Sequence, residues 1–336
     1  MNSAFWMQHY LGCEYLKLDG LNIWNHSNRN NDMMDIDGCR NVTISNVIGD
    51  SDDDGITIKS TSPLISENIT ITNCVISSHC NGIKFGTEST GGFRNVTVSN
   101  CVIKPSGQTS TIYGKPAGMG GLALEIVDGG IMENITIDNV VIDGPTVPIF
   151  VRLGNRARKH MSGATAPGKG RVRNINLSNI IATSADEIGC SITGIASAPL
   201  EGISLRNIRL ETKGGDSLVD VFKPVIEKEE EYPEGTMFGK LPSYGFFIRH
   251  VKDIKMSDIT IRTTGKESRP GIVVNNTQQF SFNALDIQTN NDTKASVYVS
   301  ESKDGSITNS LQYYPVQQFF IKDKSSVNVV ADKPRK

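Results

Sequence analysis

The feature that most constrains this chain is a six-residue motif that returns at near-regular intervals. Asn41-Val42-Thr43-Ile44-Ser45-Asn46 recurs as Asn68-Ile69-Thr70-Ile71-Thr72-Asn73 and as Asn95-Val96-Thr97-Val98-Ser99-Asn100. It returns again as Asn134-Ile135-Thr136-Ile137-Asp138-Asn139 and Asn174-Ile175-Asn176-Leu177-Ser178-Asn179. Weaker copies start at Tyr15, Gly202, Asp253 and Gln279, so successive starts lie 26, 27, 27, 39, 40, 28, 51 and 26 residues apart. A period near 27 residues, lengthened in three coils by insertions, marks a repeat architecture. The second and fourth positions of all nine copies are apolar, from Leu16 and Leu18 to Phe280 and Phe282. That alternation of period two is a strand with one face inward. The sixth position is Asn or Asp in seven of the nine copies, Asn46 through Asp258. Asn accepts the left-handed backbone of a turn, and stacked copies are expected to form a side-chain ladder.

One strand, a turn and further short strands in each period, without helical periodicity, predict an all-β chain: a right-handed parallel β-helix of about nine coils. A leucine-rich repeat needs a Leu-rich helical side and a propeller needs longer antiparallel blades, and neither pattern is present. The 336 residues therefore read as one solenoid domain, 1–336, although length alone suggests two domains of roughly 150 residues each. Insertions are expected near 104–131, 155–170 and 211–250, with a non-repeat C-terminal segment at 288–336.

Charge and composition exclude several classes. With 34 Lys+Arg against 36 Asp+Glu, no basic excess exists for a nucleic-acid backbone. The apolar runs are too short for a membrane span, and Met1-Asn2-Ser3-Ala4-Phe5-Trp6 does not open a signal peptide. The six cysteines lack zinc-site spacing and are expected as core thiols. The four Asn-x-Thr triplets, from Asn41 to Asn134, are repeat positions, which removes them as glycosylation signals.

Polar residues concentrate where a second strand of each coil begins. Successive coils read Asp32-Met33-Met34-Asp35, Asp52-Asp53-Asp54-Gly55-Ile56-Thr57-Ile58-Lys59, His79-Cys80-Asn81-Gly82-Ile83-Lys84 and Pro148-Ile149-Phe150-Val151-Arg152. Aligned on the strand, Asp32 sits over Asp53 and over Cys80 and Asn81. Coils lie about 4.8 Å apart, so Asp32, Asp53 and Asp54 must crowd one patch. Carboxylates that close hold one of their number protonated at a raised pKa, as an acid/base pair requires. A solvated Asp-rich loop or a calcium site would explain 51–55 alone. The convergence of Asp32, Asp53, Asp54, Lys59, His79, Lys84 and Arg152 on one edge favours a catalytic patch.

These strings resemble the polygalacturonase-type enzymes of glycoside hydrolase family 28. Asn31-Asp32-Met33-Met34-Asp35 is similar to the family's Asn-Thr-Asp motif, and Asp52 to Ser60 to its Gly-Asp-Asp…Ile-Lys-Ser motif. Asn2-Ser3-Ala4-Phe5-Trp6…His9…Cys13 is similar to its Asn-Ser-Pro-x-Trp…His…Cys stretch. The resemblance covers roughly residues 2 to 155. It implies hydrolysis of α-linked uronic-acid polysaccharides, polygalacturonan or rhamnogalacturonan, with inversion and without a metal or other cofactor. Carried onto matching positions, Asp53 protonates the leaving oxygen while Asp32 and Asp54 activate water, an inverting set standing about 6.5–9.5 Å apart. Arg152 is implied as the arm holding the substrate carboxylate. Three positions depart from the family. Its Gly-His-Gly histidine aligns with Asn81, leaving His79, two residues earlier, as a stand-in. The Lys of its Arg-Ile-Lys motif is Gly154 here, leaving Lys59, Lys84 or Arg156, and Asp52 replaces the Gly before the acid pair. Glu88 and Glu125 are further candidates for sugar hydroxyls, and the basic stretch 155–170 for an anionic chain.

The partner implied is thus an anionic, pectin-like polysaccharide met by a monomer outside the cytoplasm, extracellular or periplasmic. A β-helix polysaccharide lyase using calcium and a basic residue is one alternative, and a non-catalytic carbohydrate-binding module another. Family members carry the Asn-Ser-x-x-Trp stretch well inside their domain, so this chain is expected to lack N-terminal coils and to expose a strand edge there.

Overall fold

The structure is a computed structural model that describes residues 1–215, 224–289, 293–313 and 318–335. Its strands stack in two long parallel sheets, one of 11 strands and one of 15. The motif copies lie in the larger sheet, with Val42 opposite Ile69, Val96 and Ile135 in turn. Their second and fourth side chains form inward columns, buried from Val42 through Phe282 in one continuous core. Each such Val, Ile or Leu taken from water contributes roughly 1.5–3 kcal/mol, and stacking like on like spreads that term along the whole solenoid. All of this describes a right-handed parallel β-helix. Among the described residues no helix is long and apolar enough to cross a membrane.

The backbone explains the Asn columns. The first residue of each copy lies in the left-handed region, for example Asn41 at φ 57° and Asn95 at φ 54°, and so does the sixth, Asn46 at φ 56° and Asn100 at φ 54°. The amides also pair between coils: Asn68 donates to Asn41 at 3.1 Å, Asn95 to Asn68 at 3.1 Å and Asn134 to Asn95 at 3.0 Å. The expected ladder therefore has a second rail at the first position. Five of the six cysteines are buried, and all six are free thiols.

Segment 288–336 differs from the expectation. Lys303–Thr308 and Val327–Ala331 extend the larger sheet, while Ala295–Ser300 and Gln318–Lys322 extend the smaller one. The repeat is faint in sequence because Gly305 takes the apolar second position; in the next copy Val329 pairs with it and is buried, while Val330 points out to solvent and only Ala331 stands at the fourth position. Asp304 at φ 56° and Asn328 at φ 52° nevertheless keep the left-handed corner.

Two insertions border the smaller sheet, the first against the Asp50–Asp52 and His79–Cys80 turns and the second on the sheet's outer face. Residues 105–119 run between the strands Gly92–Lys104 and Gly120–Ile126. In the insertion at 211–250, residues 216–223 lie outside the described residues. Its later part brings Phe238 and Met237 onto Ala123, Val147 and Phe150, and Val225 and Leu241 onto Phe247, Val273 and Tyr298. The sheet's outward column is polar in early coils (Asp35, Thr57, Lys84) and mostly apolar in later ones (Ala123, Phe150, Phe247, Val273, Tyr298), with Ser191 the exception. The insertion covers the apolar part and leaves the polar part as a cleft.

Candidate active site

The cleft is built from three successive coils. The strand Met34–Asp37 pairs Met34 with Ile56, and Ile56 of Ile56–Ser60 pairs with Ile83 of Asn81–Ser89. Two residues earlier in each coil stand Asp32, Asp54 and Asn81, one residue out of the alignment expected for Asp53. Side chains alternate across a strand, so Lys59 and Lys84 point outward from it into the same cleft while Ile58 and Phe85 enter the core. Asp53 lies in the turn between Ile48–Ser51 and Ile56–Ser60.

Each carboxylate meets a different environment. Asp54 Oδ1 accepts from the Asn81 amide at 2.8 Å and Asp54 Oδ2 from Lys84 Nζ at 2.9 Å. These are the donors of an ionised carboxylate. Asp53 has no such cation, and burial, with Asp54 and Asp32 alongside, pushes its pKa up to about 8. Asp32 is also pushed well up by burial and by Asp35. Asp35, raised to about 7 by burial, is fully buried beside it. Lys59 Nζ stands 3.6 Å from Asp32 and 3.4 Å from Asp35. One ammonium faces both carboxyls, and their crowding in a buried place is what raises the two together.

Around these stands a basic rim. Glu88 Oε2 lies 3.5 Å from Lys59 and pairs with Arg158; burial alone would raise this acid, but Lys59, Arg158 and Arg156 bring it down to about 2. Arg156 forks onto Asp128 and reaches within 3.7 Å of Glu88. Trp6 lies 4.6 Å under Lys59 Nζ, and the Tyr232 hydroxyl accepts from Lys84 Nζ at 3.2 Å. Glu125 is buried, pushed up to about 8 by desolvation, and accepts from Thr87 at 3.2 Å.

Two expected substrate contacts are placed otherwise. Arg152 is fully buried and donates to the carbonyl of Gly194 at 3.1 Å and to those of Glu227 and Lys228 at 2.8 and 3.2 Å, beneath Phe238. Its guanidinium pins the covering insertion, so it has no face for a sugar carboxylate. His79 is also fully buried: Nδ1 meets Asp52 at 2.7 Å and Nε2 meets the Gln108 carbonyl at 2.7 Å, away from the cleft. Asp52, the departure from the family glycine, thus serves His79 and accepts the Ile112 and Tyr113 amides at 3.0 and 2.9 Å.

Three further residues line the cleft beyond those the sequence motifs mark. Asp35, three residues beyond Asp32, stands on the outward column opposite Thr57, a position that strand alternation alone could have marked. Tyr232 and Glu234, which sits close to Asn81 and Lys84, come from an insertion 148 residues beyond Lys84 in the case of Tyr232, and no spacing rule reaches that far.

The chain is similar to solved β-helices that it matches at low identity. One is a hyperthermoactive exopolygalacturonase from Thermotoga maritima, at 21% identity over 62% of this chain and 45% of that one, TM-score 0.49. Another is a family 28 exopolygalacturonase from Yersinia enterocolitica, at 14% identity over 95% and 46%, TM-score 0.48. An endo-xylogalacturonan hydrolase from Aspergillus tubingensis matches at 10% identity over 98% and 84%, TM-score 0.38. The chain spans under half the length of the two exopolygalacturonases. No curated protein sequence matches it significantly. Residues 1–225, two thirds of the chain and all the segments that build the carboxylate cleft except the Tyr232 wall, match the sequence pattern of glycosyl hydrolases family 28, and the chain belongs to that family.

Proposed function

We propose that this chain hydrolyses α-glycosidic bonds in pectin-type uronic-acid polysaccharides, polygalacturonan or rhamnogalacturonan, with inversion. One observation carries the reading: neighbouring acids, Asp53 and Asp54, sit in opposed environments, the first raised to about 8 and the second held by Lys84 and Asn81. Such opposed surroundings support a split into acid and base. Asp53 gives its proton to the glycosidic oxygen as the bond to the anomeric carbon breaks. Asp54, with Asp32, takes a proton from the water that attacks from the other face. Arg158, whose side chain is 54% exposed, and Arg156 offer the substrate carboxylate its positive rim in place of Arg152. Tyr232 and Phe238 wall the cleft toward the later coils, which favours action near a chain end. A polysaccharide substrate of this size places the enzyme outside the cytoplasm.

Polygalacturonate and rhamnogalacturonan incubated with the protein should yield new reducing ends without the ultraviolet absorbance of an unsaturated uronate, with or without added calcium. The first product should carry the inverted anomeric configuration by proton NMR, and Asp53→Asn should lose turnover by roughly 10²–10⁴-fold while still binding substrate. Calcium-dependent unsaturated products would assign a lyase instead.

A further inference from the structure

Behind the acid turn, a second polar cluster takes no part in the proposed hydrolysis. His26, Asp52 and His79 come from three successive coils, and each offers one ligand atom within 4.8 Å of the others. Their side chains are only 2%, 1% and 0% exposed. His26 Nδ1 is buried without a hydrogen-bond partner and faces Asp52 Oδ1 at 3.9 Å. A buried imidazole nitrogen left so is costly, and this one lies within 4.8 Å of both ligand atoms offered by His79 and Asp52.

The far nitrogens are already engaged. His26 Nε2 bonds Asp50 Oδ1 at 3.0 Å, and His79 Nε2 bonds the Gln108 carbonyl at 2.7 Å. Metal-binding histidines orient themselves in this way, giving the second N–H to a carboxylate or a backbone carbonyl. Asp50 is fixed in turn by Ser106 Oγ at 2.7 Å and the Gly107 amide at 2.8 Å. A tetrahedral ion with bonds of about 2.0–2.1 Å sets its ligand atoms about 3.3 Å apart. The contacts to Asp52 Oδ1, 2.7 Å from His79 and 3.9 Å from His26, bracket that spacing. An ion would replace the proton between His79 and Asp52, part that pair by about 0.6 Å and draw His26 inward by about as much.

We infer that His26 Nδ1, Asp52 Oδ1 and His79 Nδ1 form a binding site for one divalent transition-metal ion of the zinc type. Two imidazoles and one carboxylate suit such an ion, whereas calcium and magnesium want oxygen ligands. The site is structural. It joins three coils to the 105–119 insertion through Gln108, Ile112 and Tyr113, one residue before Asp53. Its occupant would stiffen the turn that carries the proposed acid without touching substrate, so the inference stands apart from the reaction proposed above.

The test uses the full chain stripped with a chelator, titrated with Zn²⁺ by calorimetry and with Co²⁺ by visible absorption. One saturable equivalent is expected, with visible ligand-field bands distinct from those of aqueous Co²⁺, and no uptake of Mg²⁺ at the same concentrations. His26→Phe, which keeps a ring against Trp24, should abolish the Co²⁺ bands. Asp50→Asn, which leaves the three ligands in place, should weaken Zn²⁺ by roughly 10–100-fold. The absence of a saturable Zn²⁺ or Co²⁺ equivalent in the wild-type chain would overturn the inference. So would unchanged Co²⁺ bands in His26→Phe, which would put the ion elsewhere.

Discussion

Lys84 Nζ and Asp54 Oδ2, from adjacent coils, form a buried ion pair at 2.9 Å, with side chains only 3% and 5% exposed. Burial pulls against the Lys84 charge, but Asp54 and its acidic neighbours hold its pKa well above the ordinary lysine value. The pair therefore survives across the working pH range. Breaking a buried pair strands the remaining charge, at about 3–5 kcal/mol. Lys84→Met is expected to lower the unfolding free energy by that order and to cut turnover by roughly 10²-fold as Asp54 shifts. Urea unfolding and kcat check this together, and an unchanged unfolding midpoint would show that Asp54 has another partner.

The raised pKa of Asp53 gives the pH behaviour a sign. Its folded value, about 8, lies above that of an ordinary aspartate, so the folded chain holds this proton more tightly than the unfolded one. That contribution is complete below about pH 4 and is lost as pH rises to about 8, by up to roughly 1.4 kcal/mol per pH unit for an uncoupled group. In Asp53→Asn the loss between pH 5 and pH 8 should be visibly smaller than in the wild type, as read from Tm at the two values. Activity should fall on the alkaline side as the same proton leaves; a wild-type Tm that rises from pH 5 to pH 8 by more than that of the variant would contradict the assignment.

Arg152 tests a structural role against a substrate role. Removing its guanidinium strands the buried carbonyls of Gly194, Glu227 and Lys228, each worth about 1–3 kcal/mol when left unpaired. Arg152→Ala is expected to destabilise by about 3 kcal/mol or more and to open the 224–240 stretch to limited proteolysis. The ratio of kcat/KM on free and methyl-esterified polygalacturonate should stay the same. A selective loss on the free acid, with protection of 224–240 intact, would return Arg152 to the substrate.

The repeat was legible because its physics is local. Apolar residues alternating at period two, as in Val42 and Ile44 or Ile69 and Ile71, bury one face of a strand wherever the chain goes. Asn at a left-handed corner marks where it bends. Stacking by one period then brings Asp32, Asp54, Asn81, Lys59 and Lys84 to one face, so much of the candidate site was readable from spacing alone. The last coils hid because Gly305 broke the apolar column while the backbone corner persisted. What sequence could not assign was decided by residues far apart in the chain. Nothing in the spacing of Arg152 or His79 says that Phe238 will cover the first, or that Gln108 and Asp52 will hold the second. A side chain's solvent exposure depends on what an insertion lays over it, and the path of an insertion is set by tertiary packing on the apolar column from Ala123 to Tyr298, not by the period of the repeat.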